Sequence, residues 1–127
     1  MIITYLGGEF VKVQFGETVL AFNPPSRDSK LKTPRFGADI ALSTINHPDC
    51  NGLESVTHGE RAPFVIQGPG EYEIKGIAVH GFSTESRYDD KKQINTVYLV
   101  TIEGMRLCFL GALSSKELPA AIREALE

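Results

Sequence analysis

His47, Asp49 and Cys50 are crowded into one stretch, Ala41-Leu-Ser-Thr-Ile-Asn-His-Pro-Asp-Cys-Asn-Gly52. Imidazole, carboxylate and thiolate are the side chains that bind zinc. Together they could supply three ligands and leave a fourth place for water, as catalytic zinc sites do. Asp49 could instead be a catalytic base oriented toward that water. The spacing i, i+2, i+3 is tight, and Pro48 restricts it further. His58 could add a ligand if the next loop folds back. Cys50 as a nucleophile beside His47 is a weaker arrangement, because nothing marks an orienting third group or an oxyanion hole. The structural alternative is that His47 and Asp49 serve the loop itself, with Asp49 capping the turn through a side-chain oxygen.

The elements that must position these groups read mostly as strands. The site loop follows a buried strand, Ala38 to Leu42, and such a loop is where rigid scaffolds present functional groups. Before it, Ile2 to Leu6 has strand composition and stops at Gly7-Gly8. Phe10 to Phe15 alternates apolar and polar residues. Gly16-Glu17 is a hairpin turn signal, and Thr18 to Phe22 is the returning strand. Asn23-Pro24-Pro25 ends it, since proline cannot donate to a ladder. The chain therefore opens as an antiparallel meander.

Residues Ser26 to Gly37, with Arg27, Lys30, Lys32 and Arg35, read as an exposed loop. Gly52 to Gly59 reads as irregular or a short helical turn. Ala62 to Gln67 is a short strand running into the turn Gly68-Pro-Gly70. Glu71 to Ile74 and Ile77 to Phe82 form a hairpin about Lys75-Gly76. Ser83 to Ile94 reads as a mobile polar loop. Asn95 to Ile102 and Met105 to Leu110 pair about Glu103-Gly104. The tail is the one helix, with Ser114 or Ser115 as its cap and Leu118, Ile122 and Ala125 or Leu126 on one apolar face. Cys108, in the run Leu107-Cys-Phe-Leu110, is expected in the core. Val11, Val13, Phe15, Leu20, Phe22, Ile40, Val97, Leu99, Leu107 and Phe109 are expected to be buried wholly or in part.

Composition sets the broad class. The 127 residues make one domain, 1–127, by the usual prior. A hydrophobic content of 42% and a charged content of 23% are ordinary for a soluble globular chain. A net charge of −3 argues against nucleic acid as a partner, which calls for basic patches. There is no apolar run long enough to span a bilayer, and the N-terminus lacks the basic region and cleavage site of a signal peptide. Two cysteines make no disulfide framework, so a cytoplasmic location with reduced thiols is expected.

Three segments together carry a resemblance. They are Ile3-Thr-Tyr-Leu-Gly-Gly8, Gln67-Gly-Pro-Gly-Glu-Tyr-Glu-Ile74, and the hairpin Asn95-Thr-Val-Tyr-Leu-Val with Gly104-Met-Arg-Leu-Cys-Phe-Leu-Gly111. They resemble the metallo-β-lactamase superfamily, in the branch of zinc-dependent hydrolases similar to ascorbate-6-phosphate lactonase. The resemblance implies the N-terminal half of an αββα sandwich, an α+β, mainly β fold with an antiparallel or mixed sheet and a C-terminal helix. It also implies a zinc or manganese site. The family motif His-x-His-x-Asp-His falls on Ile45-Asn-His-Pro-Asp-Cys50, where His47 and Asp49 match while Ile45 and Cys50 replace histidines. The acidic ligand of a Leu-Gly-Asp-Leu pattern falls on Ala112. The early Leu-Gly-His pattern becomes Leu6-Gly-Gly8, and an aspartate after the third strand becomes Asn23. A histidine after the middle hairpin has no counterpart near Thr84-Glu85-Ser86.

The departures fall at metal positions while scaffold motifs persist. A dinuclear centre that lowers the pKa of bound water needs most of the missing ligands. The expectation is a degenerate member acting as a scaffold or interaction module, without a cofactor. The alternative is a metal-dependent ester, lactone or phosphoester hydrolase with a reduced or composite zinc or manganese site. An exposed sheet face favours association, so a homodimer, or a chain supplying the second half of the fold, is the expected partner.

Overall fold

A computed structural model describes residues 1–31, 34, 36–57, 59 and 62–127. His58, Lys32 and Arg35 fall outside the described residues. The chain divides into two compact units, Met1–Gln67 and Gly68–Glu127.

The first unit is one five-stranded sheet in chain order: β1 (Ile2–Gly7), β2 (Phe10–Phe15), β3 (Thr18–Phe22), β4 (Ile40–Ser43) and β5 (Phe64–Gln67). The first three strands form the antiparallel meander read from the turns at Gly7-Gly8 and Gly16-Glu17. β4 then joins β3 in parallel, and β5 joins β4 in parallel, so the sheet is mixed. β4 has partners on both sides and is buried along its length, as a continuous apolar run in a parallel pairing should be. Asp39 sets this register. Its Oδ2 accepts the Val19 N–H at 2.8 Å, its own N–H donates to the Val19 carbonyl at 2.8 Å, and its carbonyl accepts Phe64 N–H at 2.8 Å. A 3-10 turn over Leu53–Val56 places Leu53 and Val56 in a cluster with Phe10, Ala21, Ala38 and Ala41. Phe36 stacks on Phe10 with ring centroids 5.7 Å apart, and Lys12 Nζ sits 4.6 Å from the Phe36 ring centroid.

The second unit is a four-stranded antiparallel sheet: β6 (Gly70–Ile74), β7 (Ile77–Ser86), β8 (Gln93–Ile102) and β9 (Met105–Phe109), followed by the helix α1 (Ala120–Leu126). The buried Tyr98 hydroxyl accepts the Gly68 N–H at 2.9 Å, and the Tyr72 hydroxyl donates to the Gly68 carbonyl at 3.1 Å. Two tyrosines thus clamp the Gly68-Pro-Gly70 turn. The Arg106 guanidinium donates to the carbonyls of Ala125 and Leu126 at 2.9 and 3.0 Å, covering acceptors that the end of α1 leaves without helical partners.

Three expectations are corrected. Residues 83–86 and 93–94 are not a mobile loop. They extend β7 and β8, paired from Ser83↔Thr96 to Ser86↔Gln93. The stretch carries no apolar signal because polar side chains help hold it: buried Asn95 donates to Thr84 Oγ1 at 3.0 Å and to the Leu110 carbonyl at 2.9 Å. Cys108 is exposed, not in the core. β9 is an edge strand, and the two-residue period turns Leu107 and Phe109 one way and Cys108 the other. The helix begins at Ala120 with Pro119 as its N-cap and no side-chain cap, because Ser114 Oγ donates instead to the Glu85 carbonyl at 3.0 Å and Ser115 Oγ to that of Glu117. All ten expected core residues are buried or partly buried.

Candidate functional site

The site loop leaves β4 and turns back at once. The His47 carbonyl accepts N–H from Cys50 at 2.8 Å and from Asn51 at 3.0 Å, giving a single helical turn that brings His47, Asp49 and Cys50 onto one short segment. Pro48 suits the second position of such a turn, where no N–H is needed. His47 Nδ1 accepts the Asp49 N–H at 3.0 Å, and Asp49 Oδ2 lies 3.6 Å from the same nitrogen. With Nδ1 accepting, the ring proton of a neutral His47 sits on Nε2. Asp49 Oδ1 accepts the Ser29 hydroxyl at 2.6 Å.

A second segment, residues 23–29, is laced to this loop along its length. Asn23 N–H donates to the Leu42 carbonyl at 2.7 Å. Its side chain is fully buried and bonds Thr44 twice, accepting the Thr44 N–H at 2.8 Å and donating to Thr44 Oγ1 at 2.9 Å. Gly52 N–H donates to the Pro24 carbonyl and Ser26 N–H to the Pro48 carbonyl, each at 2.7 Å. Ser29 on Asp49 closes the far end. None of these partners was legible as a site component. Ser29 lies in a featureless polar run, and the signal at Asn23 was only its departure from the family's aspartate.

Cys50 is completely buried. Burial, and then the carboxylates of Glu9 and Asp49, push its thiol from 9.0 up to about 12. Glu9 is itself partly desolvated, which raises its carboxyl. It is a neighbour that the sequence did not reveal. Because thiolate is the reactive form, native Cys50 is expected to resist a disulfide reagent at mildly alkaline pH, while exposed Cys108 reacts; both should react in denaturant. The raised pKa also fixes a sign. The unfolded thiol ionises near 9 and the folded one near 12, so its stabilising contribution is full below pH 9 and is lost as pH rises toward 12. Tyr98, pushed from 10.0 to about 12 mainly by burial, acts in the same direction. Urea midpoints across that window should fall, and fall less steeply in Cys50→Ala.

Of the other family positions, Ile45 is buried with 3% of its surface exposed, and its carbonyl accepts Ser43 Oγ at 2.9 Å. In the second unit the Ala112 N–H donates to Asn95 Oδ1 at 3.0 Å. Among the described residues, no three His, Cys, Asp or Glu side chains are grouped so as to hold a metal ion.

A family profile described as "Beta-lactamase superfamily domain" matches residues 2–124. The chain belongs to this superfamily. The match runs across both units. Among solved structures, a predicted Zn-dependent hydrolase of the metallo-beta-lactamase superfamily from Thermotoga maritima is 25% identical, with a TM-score of 0.71 over 96% of this chain and 55% of that one. Igni18, a metallo hydrolase from the archaeon Ignicoccus hospitalis, is 17% identical, with a TM-score of 0.63 over 96% and 64%. CmlA, a diiron beta-hydroxylase from Streptomyces venezuelae, is 14% identical, with a TM-score of 0.65 over 98% and 32%. A search of curated proteins gave no match. The chain thus spans 55% of the Thermotoga relative and 64% of Igni18, in keeping with a resemblance to one half of the superfamily fold. Two sheets and a C-terminal helix, mainly β, are the elements that this half should contain. No helix among the described residues is long and apolar enough to cross a membrane.

Proposed function

We propose that this chain is a non-catalytic member of the superfamily, one that keeps the scaffold and serves as an interaction module. The observation that carries the reading is the use made of the motif positions. Ile45 is an apolar core residue, Asn23 spends both ends of its amide on Thr44, and Cys50 is fully buried. His47 Nδ1 is engaged inside the loop by the Asp49 N–H, and Asp49 Oδ1 is engaged by the Ser29 hydroxyl of the segment laced to it. This donor set does not suit a dinuclear centre, which needs several ionised or lone-pair donors converging on one point.

The association half of the proposal rests on exposed apolar residues at both edges of the first sheet. On β1, Ile2, Ile3 and Tyr5 are 64%, 58% and 68% exposed, and on β5 Phe64 and Val65 are 48% and 45% exposed. An uncharged apolar edge is a template for pairing with another chain. A second copy is the simplest occupant, and a chain bearing the rest of the fold is the other. Light scattering coupled to size exclusion separates them: a dimer supports the first, and a monomer that binds only a complementary chain supports the second.

The deciding experiment is elemental analysis of protein purified without chelators and then offered zinc or manganese. The expected result is no metal above background. About one equivalent, reduced by His47→Ala and by Cys50→Ala, would overturn the reading. It would favour a metal-dependent ester, lactone or phosphoester hydrolase, the class named for the Thermotoga relative being Zn-dependent hydrolase.

A further inference from the structure

Asn51-Gly52 is the one Asn-Gly pair in the sequence. We propose that Asn51 is a latent site of spontaneous backbone isomerisation, which the lacing of residues 23–29 onto the site loop holds in check and which, once reacted, prevents the lacing from re-forming. Asparagine followed by glycine is the pair most open to this reaction, because glycine offers no side chain to hinder its nitrogen. The Gly52 nitrogen attacks the Asn51 side-chain carbonyl carbon. A C–N bond closes a five-membered imide, and the bond to Nδ2 breaks with release of ammonia. Water then opens the imide at either carbonyl, leaving aspartate or isoaspartate at position 51. No oxidant or reductant is involved.

Every group in that reaction is restrained in the fold. The attacking nitrogen has its hydrogen committed to the Pro24 carbonyl at 2.7 Å. The leaving amide nitrogen of Asn51 donates to Asn46 Oδ1 at 3.0 Å, which fixes the side chain along the loop. The Asn51 N–H is held by the His47 carbonyl at 3.0 Å. Gly52 cannot swing toward Asn51 without moving residue 25, whose backbone leaves no room even for a methyl group: a Cβ on Gly52 would lie 2.2 Å from the Pro25 oxygen. Ring closure must therefore wait for the loop to open locally.

The product does not fit back. An isoaspartyl linkage adds one methylene to the main chain between residues 51 and 52. That lengthens the path by one bond at the place where Gly52 N–H must meet Pro24 and where its Cα is wedged against Pro25. The amide that bonded Asn46 is replaced by a carboxylate. Opening is reversible before the reaction and irreversible after it.

The test incubates wild type in mildly alkaline buffer, native and in concentrated urea, beside Ser29→Ala, which lacks the hydroxyl bond to Asp49. Peptide mass spectrometry follows amide loss at position 51, and isoaspartyl methyltransferase labelling identifies the linkage. Asn51→Gln serves as the unreactive control. Amide loss should be about tenfold or more slower in the native protein than in urea, with Ser29→Ala between. The isoaspartyl product should show a lower urea midpoint than its parent. Equal rates in native and unfolded protein, or a product as stable as the parent, would overturn the proposal.

Discussion

Gly52→Ala should destabilise the protein by about 3 kcal/mol or more, the upper end of what overpacking does. The added methyl would meet Pro25 oxygen at 2.2 Å, Pro25 carbon at 2.4 Å and Ser26 nitrogen at 2.6 Å. All three are backbone atoms, so no rotamer change relieves the clash. Gly52 itself has φ −81°, which alanine adopts freely, so the effect is one of space and not of conformation. Gly16→Ala supplies the converse control. Gly16 has φ +58° with open space around it, and alanine there should cost only about 1–2 kcal/mol for the left-handed backbone. Urea unfolding of the two variants against wild type measures both. If Gly52→Ala proves no worse than Gly16→Ala, the close approach of the two segments is wrong.

Asn23→Ala carries the second large effect, about 3–5 kcal/mol. Two terms combine. The Thr44 N–H and Thr44 Oγ1 lose their partners in a site that water does not reach, and each buried polar group left alone costs about 1–3 kcal/mol. Asn23 also has φ +53°, which asparagine tolerates better than alanine. Asn23→Gly separates the terms, because glycine accepts that φ and still lacks the amide. The glycine variant should recover about 1 kcal/mol of the alanine loss. Recovery of nearly all of it would mean that the amide contributes little. A cycle with Thr44→Val isolates the Oγ1 bond.

The strands were legible because this chain punctuates them with glycine and alternates or masses its apolar residues between the breaks. Phe10–Phe15, Thr18–Phe22 and Met105–Phe109 carry both signals, and their turns fall at Gly16 and Gly104. The outer ends of β7 and β8 carry neither, since Ser83, Thr84, Glu85 and Asn95 are polar; what pairs them is the ladder itself and the hydrogen bonds of Asn95. Cys108 departs from its expected place in the core because hydrophobic neighbours in an edge strand say nothing about which face a given residue takes. At the candidate site the chemistry-bearing residues could be named from their types. Their engagement could not, because it depends on Ser29, Pro24, Pro25 and Glu9, which are distant in sequence and come together only when residues 23–29 lie along residues 46–52.

Among the described residues, neighbouring strands in each sheet are also consecutive in the chain. Most pairings therefore join near neighbours, which lowers contact order and speeds folding for a β-rich chain. The slow exceptions are the parallel joins of β3 to β4 and of β4 to β5, where loops must close before any pairing is gained. Residues 23–39 span the first of these gaps. The hairpins can assemble early, whereas the turn bearing His47, Asp49 and Cys50 must await that closure. The youngest chain leaving the ribosome would thus carry a finished meander and an unfinished site.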